Sequence, residues 1–142
     1  MQALKHRSSS TEEAKSAEER ARSEWQNQTT YPIIVFGSVG SPYTRKVLSA
    51  LRFQRVPCAF ISRRSRADVG FPMPPGPTLL PSVVFVKDWQ PMGDSTFILR
   101  EVERRGLSGK DRSLVPPRPA LALLANLLED FADEVSGIGD VR

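Results

Sequence analysis

The chain has 142 residues, 39% of them hydrophobic and 25% charged, which suits one domain able to bury a core. Its net charge is +4, but the basic residues are scattered or mixed with acids, so no nucleic-acid-binding stripe stands out. One cysteine, Cys58, excludes an internal disulfide framework and a Cys-x-x-Cys redox pair, and one histidine, His6, argues against a His-based metal site or triad.

Residues 1–30 read as a polar N-terminal extension. Ser10 and Glu13 have capping-box spacing. The stretch from Thr11 to Glu24 tolerates helix but has almost no apolar stripe, so a solvated helix is expected. No apolar run is long enough to span a membrane, and no secretory h-region is present.

A domain is expected over residues 31–106. Ile33-Ile34-Val35-Phe36 is a continuous apolar run, the mark of a strand buried on both faces. A small-residue turn, Gly37 to Gly40, leads to Ser41-Pro42-Tyr43-Thr44-Arg45-Lys46-Val47. Ser41 suits a helix N-cap and Pro42 the first turn. The helix should run from Ser41 to Gln54, with Leu48, Leu51 and Val47 toward the sheet and Arg45, Lys46 and Arg52 toward water. Val56 to Ile61 reads as a second, buried strand containing Cys58, parallel to the first. Ser62 to Val69 is basic and polar, and Phe71 to Pro77 is a stiff proline loop. Leu79 to Val86 is the third strand, with Pro81 either opening it or making a tight cis turn. Trp89 to Met92 returns as a short fourth strand. Gly93-Asp94-Ser95-Thr96 starts a helix that reaches about Arg105, with Phe97, Ile98 and Val102 on one face and Gly106 as its stop. A linker is expected over residues 107–117, and residues 118–142 hold one more helix and a tail. That helix, Ala120 to Val135, carries a stripe of Leu121, Leu124, Leu127, Leu128 and Phe131. Its acids crowd the C-terminal end, where the helix dipole does not favour them.

From about Tyr31 to Glu134 this order of elements and motifs resembles the glutathione S-transferase superfamily. The resemblance implies an α/β fold: a thioredoxin-like βαβ-ββα domain with a short, truncated all-α C-terminal extension. Ser41 to Val47 is similar to that family's serine or cysteine active-site motif. Leu80-Pro81 is similar to the residue and cis-proline that pair with the glutathione backbone. Asp94-Ser95 is similar to the acidic-Ser motif that holds the γ-glutamyl group. Ser113-Leu114-Val115-Pro116 resembles the crossover into the helical second domain. The resemblance implies Ser41 as the catalytic residue, Leu80, Pro81, Asp94 and Ser95 as glutathione-binding residues, glutathione as co-substrate and no metal.

The chemistry fits those residue types. An edge strand freed by a cis-proline offers N–H and C=O to a peptide. Asp94 could pair with the γ-glutamyl ammonium, and Ser95, at a helix start, with its carboxylate. A hydroxyl donating to sulfur favours the thiolate, which is the nucleophile. The Ser41-Pro42 and Asp94-Ser95 positions otherwise read as plain helix caps. No cysteine takes the place of Ser41, and Phe36 stands where the family's tyrosine branches carry Tyr. Ser38 is a poorer activator by position.

Two functions are therefore expected. One is glutathione conjugation to an electrophile through a serine-activated thiol. The other is a non-catalytic, transferase-like subunit or adaptor. In either case little chain remains to cover the leucines of the helix at 120–135, so a protein partner or a homodimer is expected to cover them, or the chain is a truncated product or fragment. The compartment is expected to be the cytoplasm, or the mitochondrion within an assembly.

Overall fold

The computed structural model describes residues 15–17, 19–20, 22–63 and 80–138. The capping box at Ser10, the basic stretch from residue 64 onward and the proline loop Phe71 to Pro77 lie outside the described residues. The elements in order are α1 (helical at 15–17, 19–20 and 22–28), β1 (Ile33–Gly37), α2 (Pro42–Phe53), β2 (Cys58–Ser62), β3 (Ser82–Phe85), β4 (Gln90–Met92), α3 (Ser95–Arg104) and α4 (Pro119–Ile138).

Among the described residues four strands form one mixed sheet in the order β2-β1-β3-β4. β1 runs parallel to β2 and antiparallel to β3, and β3 runs antiparallel to β4. This is the α/β, thioredoxin-like arrangement that the resemblance implies. Successive strand residues point to opposite faces. On one face Ile33, Val35, Val83 and Phe85 pack with Val47 and Leu51 of α2 and Ile98 and Val102 of α3. On the other, Ile34, Phe36 and Val84 pack with Ile61, Val86 and the partly buried Trp25 and Trp89. Both faces of β1 are covered, which is why its sequence is an unbroken apolar run. Each fully buried aliphatic or aromatic side chain contributes roughly 1.5–3 kcal/mol.

Several expectations need correcting. The strand with Cys58 is an edge, so Cys58 is only half-buried and Phe60 is exposed. Burial still raises the Cys58 thiol pKa, partly offset by the nearby Arg52. Phe97 is 60% exposed, and Ile98, Leu99 and Val102 form the buried face of α3 instead. α1 is not wholly solvated. Its end lays Trp25 against the second face of the sheet, and Gln26 Nε2 donates to the Val86 carbonyl at 2.7 Å.

The stretch between α3 and α4 is pinned. Gln54, fully buried at the end of α2, donates to Glu103 Oε1 at 2.8 Å and Ser108 Oγ at 3.0 Å. Glu103 also accepts from the Leu114 N–H at 2.6 Å. The Gly109 N–H donates to the Gln54 carbonyl at 2.7 Å.

Candidate functional site

Ser41 caps α2. Its backbone is extended (φ −77°, ψ 125°) and its Oγ accepts from the Thr44 N–H at 3.3 Å. Pro42 follows in the first turn, where a missing N–H costs nothing. The cap bond occupies a lone pair on Oγ and leaves the hydroxyl proton to donate elsewhere. Gly37 sets the approach of this turn. A Cβ there would run into the side chain of Thr44, which is fully buried. Glycine therefore lets α2 begin hard against the end of β1. Ser38, the other hydroxyl considered, lies in the intervening loop, and its carbonyl accepts from the Ser41 N–H at 3.0 Å.

The Leu80–Pro81 peptide bond is cis and stands immediately before β3. Pro81 is buried and Leu80 half-buried. β3 is not the edge strand expected from the sequence, since β1 and β4 flank it. What is open there is the end of a strand. β4 stops at Met92, opposite Val83, so Ser82 and Pro81 extend past the last paired residue on that side.

Asp94 caps α3. Its Oδ1 accepts from the Thr96 N–H at 2.9 Å and the Phe97 N–H at 3.4 Å. Its φ of 64° lies in the left-handed region, a conformation that costs a non-glycine residue about 1–3 kcal/mol and recurs at ligand clamps. Asp94 is exposed, whereas Ser95, the first residue of the helix, is 5% exposed. Ser95 thus presents almost no surface.

The strand register decides whether these residues meet. Phe36 lies opposite Ser82, and Val83 lies opposite Met92. The exit of β1, the entry of β3 and the exit of β4 therefore share one end of the sheet. Adjacent strands are about 4.8 Å apart, so Phe36, Ser82 and Gly93 line up across roughly 10 Å. Ser41, Leu80-Pro81 and Asp94-Ser95 are all brought to that end. α2 and α3 both begin there, side by side, and each N-terminus adds partial positive charge.

One residue of this region carries no signal in the local sequence. Lys46, expected to face water, is half-buried one turn into α2. Its Nζ donates to Asp133 Oδ2 at 2.7 Å and lies 3.0 Å from Glu129 Oε1, both on α4. It also reaches Thr96 Oγ1 at 3.4 Å, and Thr96 Oγ1 donates to Glu129 Oε1 at 2.9 Å. Burial pulls the Lys46 pKa down, but the bonds and charges of Asp133 and Glu129 outweigh it and leave the value raised. These contacts explain two of the acids that crowd the end of α4. The partners lie more than 80 residues away in sequence, so nothing near Lys46 marks them. Beside them a cavity of about 400 Å³ opens between α2, α3 and α4, with Leu99, Leu114, Ala122 and Ala125 among its walls.

Among the described residues no group of three or more His, Cys, Asp or Glu side chains could hold a metal ion, and no helix is long and apolar enough to cross a membrane.

No protein-family profile matches the chain, and no curated protein matches it. Among solved structures it is similar to a glutathione S-transferase from Methylobacterium radiotolerans, solved in complex with glutathione sulfonate. The TM-score is 0.56 and the identity 23%, over 74% of this chain and 48% of that one. The chain thus spans about half the length of the structure it matches. The likeness shows a shared fold, and at that level the resemblance read from the motifs is borne out.

Proposed function

We propose that this chain binds glutathione at the end of the sheet where α2 and α3 begin, and that Ser41 activates its thiol. Support comes from one observation above the rest. Ser41, the cis Leu80–Pro81 bond and the strained cap Asp94 lie far apart in sequence, yet the strand register gathers them at one end of the sheet. Each offers what one part of glutathione needs. The backbone around Leu80, beyond the last β4 pair, pairs with the cysteinyl amide. Asp94 keeps its second carboxylate oxygen for the γ-glutamyl ammonium, and the α3 N-terminus takes the γ-glutamyl carboxylate. The Ser41 proton, uncommitted by the cap bond, donates to the sulfur. The thiol proton leaves to solvent, the thiolate is held by the hydroxyl, and its lone pair attacks an electrophile and displaces a leaving group. The transferase that shares this fold was solved with a glutathione analogue, which agrees with this choice of ligand.

The test is calorimetry with the wild-type chain and Ser41→Ala. A hydrogen bond to a charged group is worth about 1.5–3 kcal/mol, so in Ser41→Ala the bound thiol pKa should rise by about 1 to 2. Conjugation should slow accordingly while glutathione still binds. Loss of the cap costs about 1 kcal/mol of stability, which thermal unfolding separates from the thiol effect. A folded wild-type chain that takes up no glutathione would refute the proposal.

A second function, that of a transferase-like adaptor without turnover, draws on a different observation. The leucine stripe of α4 faces outward.

A further inference from the structure

A further cavity lies on the flank of α2 turned away from α4. α4 approaches α2 at Lys46 and Ala50. Arg45, Leu48 and Arg52 stand about 130° further around the same helix. With Tyr31, Val56 and Phe60 they wall a groove of about 570 Å³. β2 runs along this groove and is the edge of the sheet. It pairs with β1 on one side, and among the described residues no strand pairs with its other side. Its sequence, Cys-Ala-Phe-Ile-Ser, carries none of the charges or prolines that blunt an exposed edge, and its register with β1 runs without a bulge. From Cys58 to Ile61 the outer edge is therefore a template for one more strand.

The face of such a strand is fixed by the pleat. Ala59 and Ile61 pack on one face of the sheet, while Cys58 packs on the other, beside α2, and Phe60 follows it by alternation. A strand added beyond β2 sends every second side chain to that same side, into the groove and over Phe60 and Leu48.

Charge names the occupant. Arg45 and Arg52 are both exposed, and none of the described residues that wall the groove is acidic. Seven helical positions set the two arginines about 10 Å apart along α2. Like charges splay, so their guanidinium groups reach somewhat wider. Carboxylates four residues apart on one face of a strand are about 13 Å apart and meet both arginines. The side chain midway between them falls on the apolar floor. A second copy of this chain is a poor occupant, because its own edge would set another pair of arginines beside the first.

We propose that β2 and the groove beside it take up an extended acidic peptide of a partner protein by strand addition, with the pattern acid-x-apolar-x-acid. Backbone bonds to β2 hold the peptide, and Arg45 and Arg52 select it. This docking stands apart from the glutathione reading, and its test uses no glutathione.

The probe is fluorescein-labelled Thr-Glu-Thr-Val-Thr-Glu-Thr, and its anisotropy with the full chain is the readout. It should bind, more weakly as salt is added. Lysine in place of both glutamates should abolish binding. Arg45→Glu with Arg52→Glu should raise the dissociation constant for the glutamate peptide by about tenfold or more and let the lysine peptide bind. Both arginines face water, so the far-UV circular dichroism of the variant should match the wild type. N-methylation of alternate amides separates strand addition from plain ion pairing. Methyl groups in one frame block the bonds to β2 and should abolish binding, and those in the other frame should leave it intact. A wild-type chain that takes up no peptide at about 1 mM, an affinity indifferent to the two arginines, or equal binding in both methylation frames would each overturn the proposal.

Discussion

In the body of the protein the apolar side chains point inward, and in α4 they point outward. Val35, Val47, Leu51, Ile98 and Val102 have no exposed surface at all, and they hold α2 and α3 to the sheet. α4 meets the same two helices through small residues, one lysine and two carboxylates. The first region is held by burial, which is worth kilocalories per side chain. The second is held by ion pairs whose partners keep a quarter to a third of their surface in water, and such pairs are worth little individually. A sheet with two helices held by burial and a further helix held by ion pairs are therefore built into one chain.

The largest effect should come from damaging the body. Ile98→Ala removes a fully buried side chain at the junction of α3 with the sheet. It should cost about 2–5 kcal/mol in urea unfolding and lower the stability of both regions together. A loss confined to α4 would break the comparison. Lys46→Ala should do the reverse. It should cost about 1 kcal/mol and show mainly as faster amide exchange in α4, while β1 and β3 keep their protection. The pH dependence sharpens this. Lys46 has a folded pKa raised above 10.5, so its contribution is complete below pH 10.5 and fades as the pH climbs through the higher folded value. The protection of α4 amides, with base-catalysed intrinsic exchange divided out, should fall over that alkaline window in the wild-type chain and stay level in Lys46→Ala.

The smallest effect concerns Glu101 on α3. Hydrogen bonds from Arg104 and Arg105 lower its pKa from 4.5 to about 2. Its contribution is present above pH 4.5 and is lost as the pH falls toward 2. Glu101→Gln should flatten the acid limb of the stability curve over that window. An unchanged limb would remove this cluster from the account of α3.

The parts of the fold that were legible in the sequence are those governed by local chemistry. The apolar run of β1, the Ser-Pro opening of α2, the proline ahead of β3 and the Asp-Ser opening of α3 each carry their own signal within a few residues. From these the order of elements followed, and with it the family resemblance. What was not legible depends on partners distant in the chain. Lys46 reads as a solvent-facing lysine because nothing near it reveals Glu129 and Asp133. Phe97 reads as core because it adjoins Ile98, yet one residue turns it 100° around the helix. β2 reads as buried from its composition, and only the strand order makes it an edge. The docking of α1 was hidden because Trp25 is almost its only apolar anchor. At the site, the residues could be named from the sequence, but their meeting could not. That rests on two registers, Phe36 opposite Ser82 and Val83 opposite Met92.

The most direct test is a glutathione titration followed by backbone amide resonances. The amides of Ser41, Ser82, Asp94 and Ser95 should shift together and fit one dissociation constant, because a single ligand spans all three chain segments. If saturating glutathione moves none of them, or only one segment of the three, the shared site does not exist.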